Sequence, residues 1–351
     1  MNKKIVGAGL VTVAVLGLAA CGNRSGSKGA STAGDTDLKV AMVTDTGGVD
    51  DKSFNQSAWE GLKEWGADHN LSQGNGYDYF QSSSASDYSA NFSAAVDEGY
   101  GLIAGIGFSL ADAVTVSAKD YPDTKFVMID NVIEGLDNVA SATFADHEAS
   151  YLAGIAAAKA TKTKKIGFIG GMEGAVITRF EKGFIAGVQS VDESIKVDVQ
   201  YAGSFTDAAK GKTVAAAQYA SGADVIFHAA GATGNGVFSE AKEINEQRAE
   251  ADKVWVVGVD RDQSDLGEYT DKDGKDSNFV LVSTIKKVGQ ALRLVADQTA
   301  EGNFPGGKIN EYGLKDGGVD IALTNTDEET VKLIEEAKEK IISGEIVVPE
   351  K

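Results

Sequence analysis

The chain has 351 residues, a formal net charge of −19 and a single cysteine. So acidic a chain lacks the basic surface that nucleic-acid binding requires, which excludes a nucleic-acid partner. One cysteine excludes a framework of intrachain disulfides, and the length predicts about two domains stabilised by their apolar cores.

The N-terminus carries an export signal. Two lysines precede an apolar stretch at residues 5–18, which is shorter than the ~20 residues that a membrane span needs. The stretch runs into Leu-Ala-Ala-Cys at residues 18–21, a sequence typical of a bacterial lipobox. We predict a lipoprotein signal peptide over residues 1–20 and lipidation of Cys21; the alternative is an ordinary signal peptide followed by a chance cysteine. A diacylglycerol and a palmitate-type N-acyl chain together anchor a protein stably, whereas one chain is marginal.

The segment after the cysteine has the composition of a linker. Residues 22–34 contain no large apolar side chain, so they cannot bury enough surface to offset the entropy lost on ordering. We predict a flexible tether over residues 21–37, including the lipidated cysteine. The globular part is then expected on the extracytoplasmic face of the cell membrane, held there by its lipid anchor.

From residue 38 onward, short β-branched runs alternate with amphipathic stretches, which is the pattern of parallel βα units. Two successive sets of these units predict an α/β fold with two doubly wound parallel-sheet lobes and a ligand cleft between them. The predicted strands are at 38–44, 78–82, 102–107, 125–129, 138–144, 165–170, 196–201, 224–228, 253–259 and 278–283.

Two helices carry clear start signals. Thr326 and Glu329 have the spacing of a capping box, and the apolar positions that follow recur at helical spacing until Gly344. Ser53 and Gln56 have the same spacing. They predict a helix whose first turn lies at the rim of the ligand cleft.

Polar, glycine and aromatic residues follow the predicted strands, at the edge where ligands bind to open parallel sheets. Carboxylates accept hydrogen bonds from sugar hydroxyls, glycine turns offer backbone N–H groups, and phenyl rings stack on a flat heterocycle. This combination favours a nucleoside, which joins a polyol to an aromatic base. The alternative is that each Asp or Gly only forms a turn or caps a helix. The residues concerned are Asp45, Phe108, Asp130, Phe205, Gly231, Asp260 and Lys286.

Several segments of the sequence together resemble a known family. They are DTGG at 45–48 with DKSFN at 51–55, SYLAG at 150–154, GFIAG at 183–187, GVDRDQ at 258–263 and STIK at 283–286. With these segments the chain resembles the basic membrane protein (BMP) family of bacterial lipoproteins, the nucleoside-binding branch of the type I periplasmic-binding-protein-like receptors. The resemblance extends from about residue 38 to the C-terminus.

The resemblance implies a role for each matching position. The base is expected between the rings of Phe54 and Phe205, and the ribose is expected to bind Asp260, Lys286 and the backbone of Gly231. The family often has a second glycine directly after that last position, where this chain has alanine. The full predicted ligand-binding set is Asp45, Phe54, Asn55, Phe108, Asp130, Phe205, Gly231, Asp260 and Lys286.

The resemblance also implies lobes that are discontinuous in sequence, because the chain crosses several times between them. The crossings are expected near residues 145, 262 and 303. The predicted N-terminal lobe is therefore 38–145 plus 262–302, and the predicted C-terminal lobe is 146–261 plus 303–351.

A substrate-binding lipoprotein of an ABC importer is the function that the resemblance implies. Such a protein captures nucleosides, with purine bases favoured over pyrimidine bases, and delivers them to the permease and ATPase subunits of the transporter. We expect a monomer that needs no cofactor.

The residues do not predict an enzyme or a metal site. His69, His147 and His228 show neither the spacing of metal ligands nor a nearby serine elbow motif. The alternatives are a pentose receptor of the same fold, a signalling receptor without a transporter, and a nucleoside hydrolase. A pentose pocket would favour stacking tryptophans, whereas the three tryptophans of this chain fall inside predicted helices and a strand.

The predicted lipid anchor is tested by Cys21→Ala. The variant should lack acyl groups, and any chain from which the signal peptide has been removed should leave the membrane fraction, because no other anchoring feature is predicted. Fractionation and mass spectrometry of the wild type and the variant measure this. Wild-type protein found in the cytosol without acyl groups would overturn the prediction.

Overall fold

The structure, a computed structural model, describes residues 36–351 of the chain. The predicted signal peptide, Cys21 and most of the predicted tether lie outside this range. None of the helices in the described range is long and apolar enough to cross a membrane.

The described residues contain nine α-helices and fourteen strands, which we number in chain order. The helices are α1 (Phe54–Asp68), α2 (Tyr88–Asp97), α3 (Ala111–Asp120), α4 (Asp146–Ala160), α5 (Ala175–Val191), α6 (Ala208–Ala220), α7 (Gly234–Asn245), α8 (Val288–Ala300) and α9 (Glu328–Ser343). The strands are β1 (Val40–Thr44), β2 (Tyr77–Phe80), β3 (Leu102–Ile106), β4 (Lys125–Ile129), β5 (Val139–Phe144), β6 (Lys165–Gly170), β7 (Lys196–Tyr201), β8 (Val225–Ala229), β9 (Trp255–Gly258), β10 (Glu268–Thr270), β11 (Asp276–Asn278), β12 (Val280–Lys286), β13 (Ile309–Tyr312) and β14 (Val319–Leu323).

The strands form two six-stranded sheets and a short hairpin, β10–β11. The first sheet has the order β13-β5-β4-β3-β1-β2, and its strands are all parallel. The second has the order β14-β12-β9-β8-β6-β7, with the edge strand β14 antiparallel to β12. The predicted α/β fold with two doubly wound lobes is confirmed.

The central strands are buried because helices cover both faces of each sheet. Every residue of β1 and β3 is buried, and each strand is an unbroken apolar run, VAMVT and LIAGI. Such runs are typical of parallel strands, which explains why the sequence predicted them. The sequence missed β10, β11, β13 and β14, since these short strands lie at sheet edges or in the hairpin and lack a long apolar run.

Three crossings join the two lobes, each lobe being one sheet with its helices. The chain leaves the first sheet after β5, returns to the first lobe after β12, and crosses again between β13 and β14. The predicted boundaries at 262 and 303 are therefore wrong, because the chain crosses after β12 and between β13 and β14 instead. The reason is strand pairing, since β12 pairs with β9 in the second sheet and β13 pairs with β5 in the first.

The start of α1 differs from the predicted capping box. The Asp51 carboxylate accepts the backbone N–H groups of Ser53, Asn55 and Gln56, at 2.8, 2.9 and 3.1 Å. A carboxylate at this place also interacts favourably with the helix dipole. Ser53 instead donates its hydroxyl to Asp260, across the cleft in the second lobe.

The start of α9 is shifted by one residue from the prediction. The Asp327 carboxylate, rather than the Thr326 hydroxyl, caps the helix and accepts the N–H of Thr330 at 2.7 Å. The predicted end is confirmed, because Gly344 follows the helix in the left-handed conformation, with a φ of 81°.

Helices α4 and α5 of the second lobe pack closely through glycines. A Cβ at Gly154 would lie 2.4 Å from the carbonyl oxygen of Phe184, and a Cβ at Gly187 would lie 2.0 Å from the carbonyl oxygen of Tyr151. Both distances are far below van der Waals contact, so the two backbones touch only because side chains are missing. Two of the segments that carry the family resemblance, SYLAG and GFIAG, therefore form this helix seam and not the ligand cleft.

Gly187→Ala should lower the free energy of unfolding by about 1–3 kcal/mol or more, because an added methyl in a packed interior forces the helices apart. Urea unfolding, followed by circular dichroism, measures the change. Gly174→Ala is the matched control at the start of the same helix, where a Cβ has nothing within 4 Å. Equal losses in the two variants would contradict the close packing of the seam.

Candidate ligand-binding site

A cavity of about 310 Å³ lies between the lobes, at the carboxyl ends of the parallel strands. It lies at the point where the strand order reverses in both sheets, between β1 and β3 and between β6 and β8. Its size falls at the lower end of small-molecule sites, which span about 300–1,000 Å³. All nine residues predicted to bind the ligand line this cavity: Asp45, Phe54, Asn55, Phe108, Asp130, Phe205, Gly231, Asp260 and Lys286.

The sequence missed several other lining residues. Four of them belong to the loop after β6 and to the first turns of α5, a region whose apolar pattern is typical of an ordinary helix core. Only its position at the carboxyl end of a strand could have indicated a role in the cleft. These residues include Tyr88, Met172, Val176, Ile177 and Phe180.

One wall of the cavity offers hydrogen-bond acceptors. The Asn55 amide donates to Asp45 at 2.8 Å and to Asp51 at 3.0 Å, and its nitrogen must face them because carboxylates only accept. Its carbonyl oxygen Oδ1 is buried and has no partner among the described residues. Burial raises the pKa of Asp45 to about 6, although the Gly47 N–H and the Asn55 amide oppose the rise. This wall suits a ligand group that donates hydrogen bonds.

Aromatic rings from both lobes form the apolar part of the cavity. Phe108 and Phe205 meet edge to face across the cleft, with ring centroids 6.0 Å apart and planes at 71°. The ring of Phe54 lies 5.2 Å from the ammonium of Lys286. A Cβ at Gly171 would lie 2.3 Å from the Phe205 ring, so this glycine allows the ring its position.

Four cavity residues have positive φ angles. The φ angles are 54° at Gly231, 107° at Gly107, 67° at Asp130 and 68° at Asp260. Glycine adopts this region freely, and aspartate tolerates it better than most residues. A Cβ at Gly231 would also lie 3.3 Å from the carbonyl oxygen of Phe205. Backbone strain of this kind is held in place by surrounding structure and is frequent at functional sites.

The Lys286 ammonium is the buried positive charge of the cavity. Its Nζ lies 2.7 Å from Asp130 Oδ2 and 3.1 Å from Asp146 Oδ1, and the three side chains are 3%, 4% and 0% exposed. Asp130 follows β4 of the first lobe, whereas Lys286 ends β12 of the second, so this ion pair joins the lobes. The second oxygen of Asp130, Oδ1, has no hydrogen-bond partner among the described residues. A ligand that donates to Asp130 could therefore bind without breaking the ion pair.

Burial and neighbouring charges together set the pKa values of the cavity residues. Burial raises the pKa of Asp260 to about 7, although the Lys286 ammonium and the Ser53 hydroxyl oppose the rise. Burial lowers the pKa of Lys286, but Asp130, Asp146 and Asp260 more than reverse that effect and the pKa is raised. The lysine is therefore charged at neutral pH, and Asp260 changes its charge near neutral pH.

Further hydrogen bonds close the rim of the cleft. The Ser53 hydroxyl donates to Asp260, and Gln263 Nε2 donates to the carbonyl oxygen of Lys52 at 2.9 Å. Both bonds join the loop before α1 to the loop after β9. The structure therefore describes the lobes in contact at this rim, with the cavity between them.

Lys286→Met should lower the free energy of unfolding by about 3–5 kcal/mol at pH 8, since it leaves buried carboxylates without their cation. Loss of the cation raises the pKa of Asp146 and Asp260 in the folded state, because the Lys286 ammonium lowers both. A carboxyl whose pKa is higher in the folded state than in the unfolded state stabilises the fold at pH values below its unfolded-state pKa. This stabilisation is lost as the pH rises through the folded-state pKa. The deficit should therefore be smaller at pH 5 than at pH 8. Denaturant unfolding at both values tests this, with the exposed Lys212→Met as control; a pH-independent deficit would contradict the ion-pair network.

Comparison with known proteins identifies the family. Residues 38–351 match the family described as ABC transporter substrate-binding protein PnrA-like. The chain is 58% identical to the ABC transporter nucleoside-binding protein BmpA of Lactococcus lactis subsp. cremoris, covering 100% of both chains, and 35% identical to basic membrane protein A of Borreliella burgdorferi, covering 89% and 87%. The crystal structure of an ABC transporter system solute-binding protein from Aeropyrum pernix K1 aligns with a TM-score of 0.75 at 28% identity, covering 90% of this chain and 94% of that one. The chain therefore belongs to the PnrA-like family of ABC transporter substrate-binding proteins.

Proposed function

We propose that the interlobe cavity binds a nucleoside and that the protein delivers it to the membrane subunits of an ABC importer. The observation that carries this proposal is the composition of the cavity. Four phenylalanine rings line it together with four carboxylates and one ammonium. A flat base matches the rings, and a ribose with several hydroxyls matches the acceptors.

The base is proposed to lie between Phe54 of the first lobe and Phe205 of the second. The ribose hydroxyls donate to Asp260 and accept from Lys286, and the backbone of Gly231 completes the ribose contacts. The free oxygens of Asp130 and Asn55 accept from donors of the ligand. A purine is favoured among bases, as the family resemblance implies.

The relatives support this proposal. A protein with 58% identity over its whole length carries the name nucleoside-binding protein, and family members act as the extracytoplasmic binding components of ABC transporters. We further propose that a lipid on Cys21 holds the protein to the membrane and that it works as a monomer. The permease and ATPase subunits are its proposed protein partners.

A pentose receptor is the alternative that the same fold would allow. Sugar sites commonly stack a tryptophan on the pyranose or furanose face. None of the three tryptophans lines this cavity; Trp59 and Trp65 lie in α1 and Trp255 lies in β9. Calorimetric titration with nucleosides, free bases and pentoses distinguishes the two ligand classes. Binding of free ribose as tight as that of a nucleoside would favour the pentose receptor.

Phe54→Ala and Phe205→Ala should each weaken nucleoside binding roughly fivefold to a hundredfold, because base stacking on an aromatic ring contributes about 1–3 kcal/mol. Replacement by tyrosine should cost much less. The two alanine effects should be non-additive, since losing one ring weakens the closure on which the other depends. Calorimetry on the single and double variants measures the coupling.

The control for these substitutions is Phe304→Ala, which removes a half-buried ring that does not line the cavity. Its affinity for nucleoside should equal that of the wild type. If both cavity variants bind nucleoside as tightly as this control does, the stacking arrangement is wrong.

A further inference from the structure

We propose that Asp146 and Arg179 form a positioning pair that fixes the Lys286 ammonium where the ligand meets it. The inference rests on the proposed function, because it requires that Lys286 contacts the ligand. Asp146 lies at the start of α4 and Arg179 in the first turns of α5, and both lie outside the lining of the cavity.

The contacts run in one line from α5 to the cavity. Arg179 Nη2 lies 3.3 Å from Asp146 Oδ2, and the other oxygen of that carboxylate, Oδ1, lies 3.1 Å from Lys286 Nζ. Each oxygen of Asp146 therefore faces one cation. A carboxylate held at one oxygen has a fixed orientation at the other, so the arginine determines where the lysine finds its counter-ion.

The burial of the pair indicates a specific role. The Asp146 side chain is fully buried and that of Arg179 is 16% exposed. Burying a carboxylate costs several kcal/mol unless cations and hydrogen bonds compensate. The rings of Phe144 and Phe180 lie 5.1 and 5.6 Å from Lys286 Nζ, so apolar groups also surround the ammonium and Asp146 supplies a counter-charge there. The charge is retained at the one place where it can hold the ammonium.

The two carboxylate partners of Lys286, Asp130 and Asp146, belong to different lobes. Asp130 belongs to the first lobe, so opening of the cleft separates it from the lysine. Asp146 starts α4, which packs on α5 and β12 of the same lobe as Lys286. The Asp146 contact is therefore independent of closure. A lysine side chain is a flexible four-carbon chain. Without the Asp146 contact, the ammonium would lose its orientation in the open state.

A purely structural tie between α4 and α5 is the competing explanation. The two explanations differ in their pH dependence, because burial raises the pKa of Asp146 to about 6 and protonation removes its charge. Lys286, Asp130 and Arg179 face this carboxyl, and Asp260 lies within electrostatic reach of it. A protonated Asp146 resembles an asparagine, so Asp146→Asn reproduces at pH 8 what the wild type undergoes below pH 6.

The experiment is calorimetric titration of inosine or guanosine at pH 8 and pH 5 with wild type, Asp146→Asn, Arg179→Met and Arg179→Lys. Asp146→Asn should bind roughly tenfold more weakly at pH 8, as expected for loss of a charged contact. The deficit should largely vanish at pH 5. Arg179→Met should also weaken binding at pH 8, and Arg179→Lys should restore part of the affinity.

The control is Asp192→Asn, which removes an exposed ion-pair carboxylate of the second lobe that contacts Lys164 at 2.9 Å. It should bind as the wild type does at both pH values. A deficit of Asp146→Asn that is absent, or equal at pH 5 and pH 8, would overturn the inference. If Asp146→Asn does not fold, the two Arg179 variants decide, because equal binding by the methionine and lysine variants would also overturn it.

A ligand-independent measurement separates this inference from the proposed function. The pKa of Lys286, followed by NMR at its Cε, should fall in Asp146→Asn because one of the carboxylates that raise it is lost. If the wild type binds no nucleoside, the proposed function fails, and this titration still tests the pair. An unchanged lysine pKa in the variant would then overturn the positioning role.

Discussion

The Lys286 ammonium is buried between carboxylates of both lobes, and a charge in such a place is tolerated only if opposite charges surround it. Much of the cavity follows from that constraint. Asp130 and Asp260 must follow the strands that bring them near the ammonium, even though both then adopt left-handed backbones. Asp146 must start its helix at a crossing between the lobes. The polar side of the cavity is thus a charge-balanced cluster, with several acceptor oxygens left for a ligand.

The family motifs divide into two physical classes. The segments after β1 and β9 contribute side chains to the cavity, whereas SYLAG and GFIAG bring α4 and α5 into backbone contact. The second class affects the site indirectly, because Asp146 and Arg179 belong to these same two helices. A helix seam without side chains at its centre leaves little freedom for one helix to slide along the other. The counter-ion of the lysine is therefore held by rigid packing as well as by charge.

The central strands and the site could be predicted from the sequence for a clear reason. Buried parallel strands are unbroken apolar runs, and the residues just after them must meet at one edge of the sheet, so Asp45 and Phe108 could be placed without coordinates. The lobe boundaries could not, because β12 and β13 each have an ordinary strand pattern and only pairing decides which sheet they join. The spacing of Ser53 and Gln56 predicts a capping box, since nothing local indicates that Asp51 caps that helix instead. Asp146 and Arg179 were missed because a charge at a helix start usually faces solvent.

The left-handed aspartates have a consequence for the symmetry of the molecule. Asp130 follows β4 and Asp260 follows β9, and these are the equivalent fourth strands of the two sheets when each is counted from its β2 or β7 edge. Each lobe thus presents a carboxylate to the cavity from a topologically equivalent strand. Two carboxylates at equivalent places cannot by themselves distinguish one end of a ligand from the other. The lysine removes this equivalence because it comes from one lobe only, and it gives the cavity a direction along which an asymmetric ligand must align.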